Sequence, residues 1–221
     1  MKFIFSIREA LKHSWKLFTK RPWYFIALSL VIVILNIVTS EFPRGTTAII
    51  LMVFGIIASI VWHYVLLSVS LAAIDEKNDL LTFATLKTHM PTLRQFFCMI
   101  GIVILSTILI GLGLILLIIP GIYVMTRLSL SNLSLVDRKG GVVASLRYSW
   151  NITKGPVFWT IFLTIIVVIL LCIIGMILFG VGILVTYPLA ILLMAQLYRT
   201  LTMHQSTVIV EQPIEIVAPK L

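Results

Sequence analysis

Six long apolar runs follow one another along this chain, and each pair of runs stands behind a short basic amphipathic stretch. The runs cover roughly 22–39, 46–74, 96–118, 121–136, 157–178 and 181–203. An apolar helix needs about 20 residues, and at least about 17, to cross the hydrocarbon of a bilayer. Five runs meet that limit. Composition agrees: 60% of the residues are hydrophobic and 11% charged, where a soluble domain carries about 25% charged residues. The expected fold is therefore all-α, a polytopic membrane bundle of six spans. One membrane domain covers 1–204, and 205–221 form a cytoplasmic tail.

The fourth run is short and polar, with Thr126, Arg127, Ser129, Ser131, Asn132 and Ser134. Pro120-Gly121 separates it from the third. Runs three and four read either as two spans or as a re-entrant hairpin, and both readings return the chain to the same side. Such polarity requires shielding by other helices, because lipid offers no hydrogen bonds.

Lys and Arg set the orientation. Fifteen of them flank the runs on one side, from Lys2 and Arg8 to Arg199 and Lys220, against Arg44 alone on the other. The positive-inside bias then puts both termini in the cytoplasm. It also accounts for the net charge of +9 without nucleic acid as a partner. No small-residue cleavage site follows the first run, so it is read as a retained span and not a signal peptide. Asn151-Ile152-Thr153 matches a glycosylation sequon but falls on the cytoplasmic side. Cys98 and Cys172 read as small buried hydrophobes.

The basic stretches share a pattern. Leu11-Lys12-His13-Ser14-Trp15, Leu86-Lys87-Thr88-His89-Met90 and Leu146-Arg147-Tyr148-Ser149-Trp150 each precede a helix pair. Apolar residues recur at helical spacing, and a cation follows the central Leu. Helices of this kind lie in the membrane interface, with their cations near phosphates. Lys12, Trp15, Lys87, Arg147 and Trp150 are the candidate lipid-facing residues, and Pro91 bends or ends the middle copy early. The expectation is a threefold repeat over about 5–74, 80–136 and 140–203, with membrane lipids, and other membrane proteins, as partners. Trp23, Tyr24, Phe158 and Trp159 read as an interfacial aromatic belt.

Residues 116–156 carry a resemblance. Leu117-Ile118-Ile119-Pro120-Gly121-Ile122-Tyr123, Leu135-Val136-Asp137 and Gly141 through Trp150 resemble the YciC-like family of bacterial inner-membrane proteins. They are also similar to the membrane domain joined to some bacterial glycerophosphodiester phosphodiesterases. The resemblance implies a bacterial cytoplasmic-membrane location. It does not carry over the phosphodiesterase activity, because no soluble catalytic domain accompanies the runs.

Candidate ligand or polar-core residues are Arg127, His63, Ser131, Ser134 and Gln196. An Arg near the centre of a spanning helix costs about 2.5–3.5 kcal/mol on insertion scales, so Arg127 needs a polar partner or water. It reads either as an anion or headgroup site, or as a side chain snorkelling outward or bonded to carbonyls at a helix end. His63 reads as a proton-sensitive group or as a hydrogen-bonded packing histidine. Gln196 and Arg199 read as interhelical glue and an interfacial anchor. Asp75 and Asp137 read as helix ends or as partners of adjacent lysines. The even-numbered runs are expected to line the interior.

No catalytic residues, metal site or cofactor are expected, because no carboxylate lies inside a run and no HExxH or paired intramembrane Asp is present. The expected function is a non-enzymatic protein supporting the bacterial envelope by organising lipids or partner proteins. The alternative is a transporter or permease for an amphipathic or anionic small molecule. The tail reads as a free end or as a strand on a partner.

Overall fold

The computed structural model describes residues 6–40, 46–75, 83–177 and 182–211, and all regular structure among them is helical. Nine α-helices follow in order: α1 (Ile7–Lys20), α2 (Pro22–Ser40), α3 (Thr46–Ile74), α4 (Leu93–Leu116), α5 (Ile118–Leu128), α6 (Ser131–Arg138), α7 (Val142–Ile152), α8 (Val157–Ile177) and α9 (Ile183–Glu211). A short 3-10 helix, Phe83–His89, stands between α3 and α4. Met52–Ile74 of α3, all of α4 and α8, and Ile183–Gln205 of α9 are long and apolar enough to cross a membrane. Ile7–Lys20 and Pro22–Leu35, bent by 94°, pass the same test only when taken together, so the count among the described residues is four, or five where that pair is one broken span. The protein has the build of a multi-pass membrane protein.

Local sequence explains the helix ends. Ser6 caps α1, its Oγ accepting from the Glu9 N–H at 3.4 Å. A residue before proline avoids helical backbone, and Arg21 breaks the helix at φ −143°. Pro22 then suits the first position of α2, where no N–H is needed. This Arg21-Pro22 step makes the 94° bend. Pro91 follows the 3-10 helix, and Thr92 with Gln95 forms a capping box that opens α4, satisfying two otherwise orphaned donors. The middle basic stretch, expected to be an amphipathic helix, thus takes a 3-10 form and ends at His89.

The fourth run divides. The reversal falls at Leu117, in extended backbone at φ −167°, and not at Pro120-Gly121. Pro120 lies in the first turn of α5, where its missing N–H breaks no helical bond. Near Leu130 the helix breaks again. The Ser129 hydroxyl donates to the Thr126 carbonyl at 2.8 Å and that of Ser131 to the Leu128 carbonyl at 2.7 Å. Such local bonds compete with the helical ladder. The tail is also partly helical, since α9 continues to Glu211; elongating an existing helix is easy compared with nucleating one. Residues 212–221 lie outside the described residues, as do the connections at 41–45, 76–82 and 178–181.

Lipid is as apolar as leucine, so close packing and polar contacts must hold the helices together. Burial follows that logic. The spanning windows of α9 and α3 are 50% and 33% buried, against 17% for α8 and 11% for α4. The helices of the second and sixth runs are therefore the inner ones, and α9 contributes Leu192, Leu193, Ala195, Leu197 and Tyr198 to the core. Toward the other end the packing opens, with Met52, Val53 and Phe54 exposed on α3.

The hairpin of α4 and α5 depends on small residues. A Cβ on Gly113 would stand 2.9 Å from the Gly121 Cα. Gly113→Ala therefore has to push α5 away. Overpacking of this kind costs about 1–2 kcal/mol, which thermal unfolding of the purified protein in detergent would register as an earlier transition.

Candidate functional site at the charged end of the bundle

Three helices meet in one ionic clasp. Asp75 follows α3, Asp137 closes α6, and Arg199 lies on α9. The Arg199 guanidinium reaches Asp137 Oδ1 at 2.7 Å and Asp75 Oδ2 at 2.6 Å. Tyr198 donates its hydroxyl to the other Asp137 oxygen at 2.9 Å. A carboxylate at a helix C-terminus meets the negative end of the helix dipole. Two such carboxylates need a cation, and one planar fork serves both. Of the two readings of Asp137, the place at a helix end is the one seen, in the last turn of α6, and its ion-pair partner is Arg199 and not the adjacent Lys139. The neighbouring Arg138 lies over the Tyr148 ring, 3.6 Å from its centre. Burial pushes the Tyr148 phenol above the ordinary tyrosine range, and Arg138 opposes this.

Beside the clasp lies a two-lobed cleft. One lobe, of 410 Å³, has Tyr64, Ser68, His89 and Gln95 as its buried or half-buried floor, and Arg94 and Lys139 as exposed rim cations. The other, of 280 Å³, reaches Asp75, Asp137 and Arg199. Ser68, Thr88, His89, Val136 and Lys139 line both. A 2.8 Å hydrogen bond between Ser68 Oγ and His89 Nδ1 fixes the floor. A separate groove of 710 Å³ runs between Arg8, Lys12 and Trp15 of α1 and the side chains of Leu171 and Leu189.

Arg127 is 8% exposed and bonded on every side. Its Nε and one terminal nitrogen donate to the Tyr123 hydroxyl at 2.9 and 2.6 Å. The other donates to the Trp150 carbonyl at 3.0 Å and to Thr153 Oγ1 at 3.4 Å. The guanidinium also stacks 5.0 Å from the Tyr123 and Trp150 ring centres. In the reverse direction, Ser149 donates to the Arg127 carbonyl at 2.8 Å. Arg127 therefore joins the end of α5 to the C-terminal turn of α7, where a cation complements the dipole.

The other residues singled out in the sequence are dispersed. His63 Nδ1 lies 2.8 Å from the Tyr187 hydroxyl, tying α3 to α9. Gln196 accepts from Ser14 at 3.1 Å, tying α9 to α1. Ser131 bonds within its own turn, and Ser134 Oγ is buried with no hydrogen-bond partner. Lys12, Lys87 and Arg147 are exposed, and Trp15 is half-exposed. Trp150 is half-buried, its ring edge-on to Tyr123. No hydrogen bond joins Arg127 to His63 among the described residues. Cys98 and Cys172 are free and half-buried, and the described residues contain no cluster of His, Cys, Asp or Glu able to hold a metal.

Sequence reasoning missed the clasp and the cleft beside it. One signal could have found the clasp: Asp75, Asp137 and Arg199 occupy corresponding ends of the second, fourth and sixth runs. A scan against protein-family models gives no match for this chain, and searches of curated proteins and of solved structures give none.

Proposed function

We propose that this chain is a six-span protein of a bacterial cytoplasmic membrane with both termini in the cytoplasm. Its spans are α2, α3, α4, the broken pair α5 and α6, α8, and α9, arranged as three repeats of about 5–74, 80–136 and 140–203. It acts without enzymatic chemistry, as a scaffold that organises anionic lipid and partner membrane proteins at the inner leaflet.

The bent entry helix carries this reading. α1 meets α2 at 94°. It buries Ala10, Ser14, Leu17 and Phe18 and leaves Lys12, Lys16 and Lys20 exposed. A helix held across the direction of its following span, apolar side inward and cations outward, suits the headgroup layer. The Ser14–Gln196 bond supports the same placement by tying α1 to the innermost helix. The permease alternative draws on Arg127 and His63, but both side chains are bonded to neighbouring residues of the bundle.

Each cation near an anionic surface contributes about 1 kcal/mol of attraction. Lys12→Gln combined with Lys16→Gln should therefore strip most of the anionic-lipid preference around α1. The check is the ratio of phosphatidylglycerol to phosphatidylcholine retained by protein reconstituted in a defined mixture. An unchanged ratio counts against the scaffold reading.

A further inference from the structure

We infer that the larger lobe of the charged-end cleft is a binding site for a phosphate-bearing anion, held by Arg94 and Lys139. This goes beyond the scaffold reading and does not rest on it. The two side chains line one 410 Å³ cleft, and among the described residues neither has a side-chain partner. Both stand where the local backbone does not favour them. Lys139 has φ 50° and is the one non-glycine residue with positive φ among the described residues, although Gly140 is next to it. Glycine adopts that conformation freely and lysine does not. Arg94 lies in the first turn of α4, at the positive end of its dipole, where a cation is disfavoured and an anion welcome.

The floor suits an oxyanion. Ser68, His89 and Gln95 line the same cleft as the two cations, and the first turn of α4 adds its partial positive charge. The acids of the neighbouring lobe leave that balance intact. Asp75 and Asp137 both bind Arg199, which offsets their charge toward the cleft. The chemistry selects a phosphate monoester or diester, whether free in solution or as the headgroup of an anionic lipid.

The test uses the full chain in phosphatidylcholine nanodiscs. Inorganic phosphate is titrated and followed by phosphorus NMR line broadening. Phosphatidylglycerol carried through purification is measured by native mass spectrometry. A charge-assisted contact of this kind is worth about tenfold in affinity. Arg94→Gln and Lys139→Gly should each weaken retention about tenfold. Lys139→Gly should at the same time raise the unfolding temperature by relieving the left-handed lysine, which separates lost binding from lost folding. Saturable broadening by phosphate that added phosphatidylglycerol does not displace identifies a soluble ligand. Phosphatidylglycerol retained by the wild type and lost by both variants identifies a headgroup. The inference is overturned if neither probe distinguishes the wild type from the double variant, or if Lys139→Gly keeps full affinity.

Discussion

Arg199→Met should cost about 3 kcal/mol of stability, the low end of the range for breaking a buried ion pair. The low end applies because the three side chains keep 18–23% of their exposure. The loss comes chiefly from what remains. Without Arg199, Asp75 and Asp137 are two carboxylates at helix C-termini, close together and without their shared cation. Removing those charges as well should reverse most of the damage. The triple variant Arg199→Met, Asp75→Asn, Asp137→Asn is expected to melt closer to the wild type than the single variant does, because the desolvated charges are gone. Thermal unfolding followed by size exclusion in detergent provides the comparison. If the triple variant melts below the single one, the clasp acts through shape and hydrogen bonding and not through charge.

Arg127→Leu should cost about 2 kcal/mol, because the Trp150 carbonyl at the end of α7 loses its charged donor and keeps only the Thr153 hydroxyl at 3.2 Å, and a hydrogen bond to a charged group is worth about 1.5–3 kcal/mol. The Tyr123 hydroxyl and Thr153 lose partners in the same step. Arg127→Lys should recover only part of this. Lysine keeps the charge but has neither the fork that reaches Tyr123 and Trp150 together nor the flat face that lies over their rings. Lipid and small molecules co-purified with Arg127→Leu should match those of the wild type. A ligand lost selectively from this variant would return Arg127 to a binding role.

Both effects rest on pairings that sequence reading cannot supply. The helices themselves were legible because a bilayer imposes a length on each apolar run and prolines mark boundaries, as Pro22 and Pro91 do at the starts of α2 and α4. The division of the fourth run was not. Pro120-Gly121 is the obvious local signal, yet Leu117 turns the chain, because proline is at ease inside a first helical turn. The clasp joins residues 62 and 124 positions apart, and nothing local chooses Arg199 over the nearer Arg138 as the partner of Asp137. For Arg127 the sequence allowed an anion site or a helix-end bond, and the choice depended on where α7 ends. The inward placement of α3 and α9 was readable from the polar residues they carry, while their partners, Tyr187 for His63 and Ser14 for Gln196, required the fold.

In the proposed topology α1, the ionic clasp and the cleft all face the cytoplasm. Single-cysteine labelling with a membrane-impermeant maleimide, after Cys98 and Cys172 are replaced by alanine, reads this out. Lys12→Cys, Lys139→Cys and His204→Cys should each label in inside-out vesicles and resist labelling in intact spheroplasts. Labelling of Lys139→Cys from the outer face of spheroplasts would place the clasp and the cleft on the opposite side of the membrane.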